Sequence, residues 1–136
     1  MAHKLRNVVL VDDNETTSFL NNRLLSRLNI AEQVHTFSKA DQAYEFLWGS
    51  RETEAAGKEA PDLVFVDLKM PGMDGFEFLK LYNELPTQAR EKTVMAVLTT
   101  SMHAADTARV AQYEGVEYLA KPLTEEKMQK LLEKRF

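Results

Sequence analysis

A short apolar or β-branched run followed by a helix-like stretch recurs five times along this 136-residue chain. The runs are Asn7 to Val11, Gln33 to Phe37, Leu63 to Val66, Val94 to Leu98 and Glu117 to Ala120. The first helical stretch, Glu15 to Asn29, places Phe19, Leu20, Arg23, Leu24 and Leu28 near helical spacing. Asn14 is placed to cap it, with Glu15 favourable in its first turn. Ser38 is expected to cap a second helix running to about Trp48, with Asp41 three residues on and Gly49 as its stop. Asp74 to Glu84 carries an Asp cap with Glu77 three residues later. Ala104 to Glu114 is a helix ended by Gly115. Thr124 caps the last helix, with Glu125 and Glu126 at its positive end and Lys134 and Arg135 at its negative end. The polar stretch from Ser50 to Ala60 is expected to be a surface loop or a frayed helix end, closed by Pro61.

Strict alternation of strand and helix calls for parallel strands joined by right-handed crossovers, with helices on both faces. Leu63 to Val66 and Val94 to Leu98 are apolar at every position, and together with Asn7 to Val11 they lack alternation, as expected of strands covered on both faces. Those three belong in the centre, and the mixed runs at Gln33 and Glu117 belong at the edges. The expected fold is α/β: a flavodoxin-like, doubly wound, five-stranded parallel sheet of (βα)5 type in the order 2-1-3-4-5.

Composition narrows the function. Apolar residues make up 44% and charged residues 28%, and the formal net charge is −4. That balance excludes a general polyanion binder, and no basic stripe points to nucleic acid. There is no cysteine, so disulfides, zinc thiolates and thiol nucleophiles are out, and a cytoplasmic setting fits. No apolar run reaches membrane-spanning length, and Met1 to Arg6 is too short and polar for a signal peptide. The whole of 1–136 is expected to be one domain.

Sites in such sheets form at the carboxyl ends of the strands. Asp12 and Asp13 follow the first strand, Asp67 the third, Thr99 the fourth, and Lys121 with Pro122 the fifth. An acid at a strand end is unremarkable taken singly. Four strand ends delivering polar, chemically useful groups to one edge is a different matter. At about 5 Å and an effective dielectric near 20, each pair of carboxylates repels by roughly 3 kcal/mol. The cluster must therefore be protonated, paired or metal-bound, and Lys121 supplies one positive charge. Carboxylates, carbonyls and water suit Mg2+ or Mn2+. Beside such an ion, Asp67 is a candidate carboxylate nucleophile, with Thr99 and Lys121 placed to hold phosphoryl oxygens.

Four pieces carry a resemblance to a known family: Val9 to Asn14, Leu63 to Gly75, Val97 to Thr100, and Tyr118 to Pro122. The second is the most specific, an Asp followed by Met70-Pro71 and then Asp74-Gly75. The chain resembles the receiver domains of two-component response regulators over nearly its whole length. The resemblance implies that Asp67 is the phosphoacceptor. It implies that Asp13 and Asp67 bind Mg2+ or Mn2+ directly, Asp12 through water, and Lys69 through its backbone carbonyl. Thr99 and Lys121 become the switch hydroxyl and the phosphate-binding lysine, and Tyr118 the switch aromatic, turning inward on phosphorylation. The bond before Pro122 is expected to be cis. The implied partners are a histidine kinase or phosphotransfer protein and an unidentified downstream protein. The implied output surface is the fourth helix, fifth strand and fifth helix of the five repeats, with no nucleic acid contact and no membrane insertion. Thr100 departs from the smaller residue often found there, which narrows access to the site. Lys69 and Ser101 occupy variable positions that influence dephosphorylation in the family.

Three rivals share some of these features. A phosphatase of the haloacid dehalogenase type also uses an aspartyl nucleophile with Mg2+, but its Asp-x-Asp motif follows the first strand, whereas Asp12 and Asp13 are adjacent. A flavodoxin-like carrier would show a glycine-rich loop after the first strand, and none is present. A phosphorylation-independent binding module would not need a complete acidic site. His3, His35 and His103 lie at no shared ligand spacing and are read as structural, as are Met70, Met73, Phe46 and Trp48.

Overall fold

A computed structural model describes residues 5–49 and 61–136. Its five parallel strands are β1 (Leu5–Val11), β2 (Ala31–Phe37), β3 (Leu63–Val66), β4 (Val94–Thr99) and β5 (Glu117–Ala120). They form one sheet in the order β2-β1-β3-β4-β5, the order expected from the apolar runs. The helices are α1 (Glu15–Arg27), α2 (Ala40–Tyr44), α3 (Gly75–Asn83), α4 (Thr87–Glu91), α5 (Ala104–Ala111) and α6 (Glu125–Arg135). Among the described residues no helix is long and apolar enough to cross a membrane.

The unbroken apolar runs have a direct structural cause. Side chains alternate across a strand, and here both faces of the central strands are covered. Val9, Val64, Val66, Met95 and Val97 point into a core shared with α2, α3 and α5. Val8, Leu10, Leu63, Phe65, Ala96 and Leu98 point into the opposite core, shared with α1 and α6. Every residue of β3 and β4 is buried, while β2 varies between exposed and half-buried and β5 is half-buried throughout, as edge strands are. Each fully buried Val, Leu or Phe contributes about 1.5–3 kcal/mol.

The helix ends follow the expected capping chemistry in three places. Asn14 and Thr124 side chains accept from the N–H groups of Thr17 and Lys127. Asp74 and Glu77 form a reciprocal capping box at α3. Past the end of α5, Gly115 takes the left-handed conformation, with φ +81°. The second helix differs from expectation. Lys39, not Ser38, is its cap residue, with no side-chain cap bond, and the helix continues from Glu45 to Gly49 as a π-helical turn. That wider turn accompanies a stack in which Trp48 lies 5.9 Å from Phe78 and 5.6 Å from Tyr82, between ring centroids. The first helix also differs. Phe19 and Leu20 are 62% and 56% exposed, while Asn21 and Leu25 are buried. The buried stripe is thus rotated from the one implied by Phe19 and Leu20. The short helix α4 has no counterpart in the sequence pattern. It is fastened by the Tyr82 hydroxyl, shared between the carbonyls of Arg90 and Thr93 at 2.9 and 3.1 Å. The expectation for Ser50 to Ala60, like that for His3, lies outside the described residues.

Candidate functional site

The strand register builds the site. Val11 pairs with Val66, so the residues that follow, Asp12 and Asp67, leave neighbouring strands side by side. Both continue the ladder by one step: Asp12 N–H donates to the Phe37 carbonyl and Asp67 N–H to the Val11 carbonyl, each at 3.0 Å. On the other side Thr99 pairs with Ala120, and Lys121 N–H donates to the Thr99 carbonyl at 2.9 Å. The Lys121–Pro122 peptide is cis. Lys127 of α6 donates to the carbonyls of Ala120 and Pro122 at 2.6 and 2.8 Å, bracing this turn.

These backbone placements bring four side chains together. Asp12, Asp13 and Asp67 each offer a carboxylate oxygen within 4.8 Å of the others. The Lys121 ammonium bridges two of them, 2.5 Å from Asp12 Oδ2 and 2.9 Å from Asp67 Oδ2. The other oxygens are also oriented: Asp12 Oδ1 accepts from Asn14 N–H at 2.9 Å, and Asp67 Oδ1 from Leu68 N–H at 2.7 Å. Asp12 and Asp67 are buried and Asp13 is exposed, so the cluster opens to solvent on the Asp13 side. Burial works against the Lys121 charge, but hydrogen bonds to Asp12 and Asp67 outweigh it and hold the ammonium above the usual lysine range. Three carboxylates against one ammonium leave the site negative. An all-oxygen donor set with excess negative charge fits a hard divalent cation. Two direct ligands of one Mg2+ lie no more than about 4.2 Å apart, twice its bond length, so a spread up to 4.8 Å also accommodates one carboxylate acting through water.

The remaining expected residues sit around this cluster. Thr99 is fully buried, and its Oγ1 accepts from Ser101 N–H at 3.2 Å. Tyr118 is half-buried, and its hydroxyl donates to the Ser101 carbonyl at 2.6 Å. The Lys69 side chain is directed elsewhere, 3.5 Å from Asp106. Met70 is buried and Met73 packs at the edge of the same core. His35 stacks on Phe46 at 5.2 Å, and His103 precedes α5 without a side-chain cap bond.

Two features went unrecognised in the sequence. One is the link from Ser101 to Asp106, at 2.5 Å. The other is the reason for glycine at position 75. A Cβ there would lie 2.3 Å from the Asp67 carbonyl oxygen and 2.7 Å from Leu68 Cα, both backbone atoms that cannot step aside. The chain returns this tightly because Gly75 N–H donates to the Leu68 carbonyl at 3.0 Å as α3 begins. Gly75→Ala is therefore expected to cost roughly 3 kcal/mol and to displace Asp67. A thermal melt together with the Asp67 amide resonance checks this, and an unshifted resonance at wild-type stability would refute it.

Comparison with known proteins agrees with this architecture. Residues 8–133 match the model of the response regulator receiver domain. The chain is 31% identical to a probable chemotaxis protein CheY of Rhizobium etli, across 100% of this chain and 95% of that protein. It is also 31% identical to part of hybrid signal transduction histidine kinase D of Dictyostelium discoideum, covering 85% of this chain but only 7% of that much longer protein. A crystal structure of a response regulator receiver protein from Dyadobacter fermentans superposes with a TM-score of 0.81 at 26% identity, covering 96% of this chain and 98% of that one. With the sheet order, the acidic strand ends and the family match in agreement, this chain belongs to the response regulator receiver domains of two-component signalling.

Proposed function

We propose that residues 1–136 act as one receiver unit that accepts a phosphoryl group on Asp67 and relays that event through the surface of α5, β5 and α6. The observation that carries this reading is the grouping of the Asp12, Asp13 and Asp67 oxygens within 4.8 Å, opposed by the Lys121 ammonium. The donor is a phosphohistidine on a histidine kinase or phosphotransfer protein. An Asp67 oxygen bonds to phosphorus as the phosphorus–nitrogen bond breaks, and its electron pair returns to the imidazole. Lys121, already 2.9 Å from Asp67, then holds one phosphoryl oxygen, and the Thr99 hydroxyl holds another. Asp13, Asp67 and the Lys69 carbonyl would hold Mg2+ or Mn2+ directly, and Asp12 would hold it through water. When bound, such an ion neutralises charge on the phosphoryl oxygens.

Transmission follows from Ser101. Thr99 and Tyr118 are both bonded to it, one to its N–H and the other to its carbonyl. A pull on the Thr99 hydroxyl is thereby felt at Tyr118, shifting the balance between two conformers of the loop and ring. Tyr118 is already engaged with the loop in this structure, so its phosphorylation response is a change of population. The downstream partner is a protein that reads this surface, in a cytoplasmic setting that suits a cysteine-free chain. The unit is a phosphoacceptor with slow self-hydrolysis rather than an enzyme acting on free phosphate esters.

The test is incubation with acetyl phosphate and Mg2+, read by intact mass. Wild type should gain one phosphoryl group and EDTA should prevent it. Asp13→Asn should slow uptake by at least about tenfold. Steady turnover of simple phosphomonoesters, or uptake indifferent to EDTA, would instead favour a different chemistry at the same carboxylates.

A further inference from the structure

The loops that follow β3 and β4 are tied together by contacts that phosphoryl transfer itself does not use. Asp106, in the first turn of α5, accepts from Ser101 Oγ at 2.5 Å and faces the Lys69 ammonium at 3.5 Å. Lys69 lies two positions after Asp67, and Ser101 two positions after Thr99. Ser101 is in turn bonded through its backbone to Thr99 Oγ1 at 3.2 Å and to the Tyr118 hydroxyl at 2.6 Å. One carboxylate thus reaches both polar groups of the switch through a single intermediate residue. The Ser101 hydrogen bond holds the Asp106 carboxyl below the usual carboxylate range; burial opposes this, and the Lys69 charge reinforces it. The helix carrying Asp106 is itself braced, because the Arg109 guanidinium lies 3.7 Å from the centroid of the Phe76 ring on α3.

We propose that Asp106 is a positioning residue that clamps the Lys69 loop to Ser101, and so sets both the lifetime of the phosphorylated state and its transmission to Tyr118. This rests on Asp67 being the phosphoacceptor. In hydrolysis, a water oxygen attacks phosphorus, the bond to Asp67 breaks with its electron pair returning to the carboxylate, and phosphate leaves. On this proposal the clamp, by holding the Lys69 and Ser101 loops together, restricts the approach of that water. A simpler role for an acid in a first turn is to complement the helix dipole. That role would touch the stability of α5 alone and act independently of Ser101.

The experiment compares the full chain with Asp106→Ala, Ser101→Ala and the double variant. Each is phosphorylated with acetyl phosphate and Mg2+, the donor is removed, and decay is followed by intact mass. Each single substitution should shorten the lifetime about fivefold. The double variant should decay no faster than the singles, because both break one chain of contacts. Ser101→Thr, which keeps the hydroxyl, should restore the wild-type lifetime. The Tyr118 ring resonances should shift in Asp106→Ala before any phosphorylation. Equal lifetimes in all four proteins, or additive effects in the double variant, would overturn the clamp. Should wild type take up no phosphoryl group, the Asp67 assignment falls. The clamp is then judged by the Tyr118 resonances, which move in Asp106→Ala if it exists and stay in place if it does not.

Discussion

Lys121→Ala is expected to lower the stability of the metal-free protein by about 3–5 kcal/mol, on the order of 10 °C in Tm. The Lys121 side chain is 13% exposed, and those of Asp12 and Asp67 are 7% and 11% exposed. Removing the ammonium leaves two buried carboxylates facing each other without the ion-pair partner they share. Their repulsion and their lost hydration then act together, which is why breaking a buried pair costs far more than breaking a surface one. Mg2+ should return part of the loss, since it binds only the assembled site. At ten times its Kd it adds about 1.4 kcal/mol. Adding Asp67→Asn to Lys121→Ala should also recover stability, because it removes one of the two stranded charges. Thermal melts in EDTA and in excess Mg2+, at constant ionic strength, read all three effects. A loss under about 1 kcal/mol for Lys121→Ala would mean that the bridge is solvent-screened and does not organise the site.

The site was legible in the sequence because each member stands at the end of a strand, and strand ends in a parallel sheet share one edge. Leu63 to Val66 and Glu117 to Ala120 appear as strands with the expected bounds, since burial on both faces or at an edge dictates their composition. The failures have physical causes too. In α1, Leu24 and Leu25 are adjacent, so two helix faces compete on hydrophobicity alone, and tertiary packing selects the one holding Asn21 and Leu25. Helix α4 spans five residues, too few to display a period, and depends on Tyr82 reaching its carbonyls from α3. Ser38 has the right chemistry for a cap, but the turn places Lys39 there instead. The link between Asp106 and Ser101 depends on how a loop folds back on the helix after it, and no periodicity encodes that.

Asp67→Asn should abolish phosphoryl uptake while leaving the fold intact. An amide has no anionic oxygen with which to attack phosphorus. The single amide oxygen can replace only one of the two acceptors, the one toward Lys121 or the one toward Leu68 N–H, and losing the other is offset by taking one negative charge out of a crowded cluster. The metal-free Tm should therefore hold or rise, which separates lost chemistry from lost structure. The most direct measurement locates the phosphoryl group itself. Wild type phosphorylated with acetyl phosphate and Mg2+ is treated with borohydride, which reduces an acyl phosphate to the alcohol and turns the modified aspartate into homoserine. Peptide mass mapping then finds that residue. Homoserine at position 67 is the expected result; homoserine at Asp12 or Asp13, or none in a protein carrying the phosphoryl mass, would contradict it.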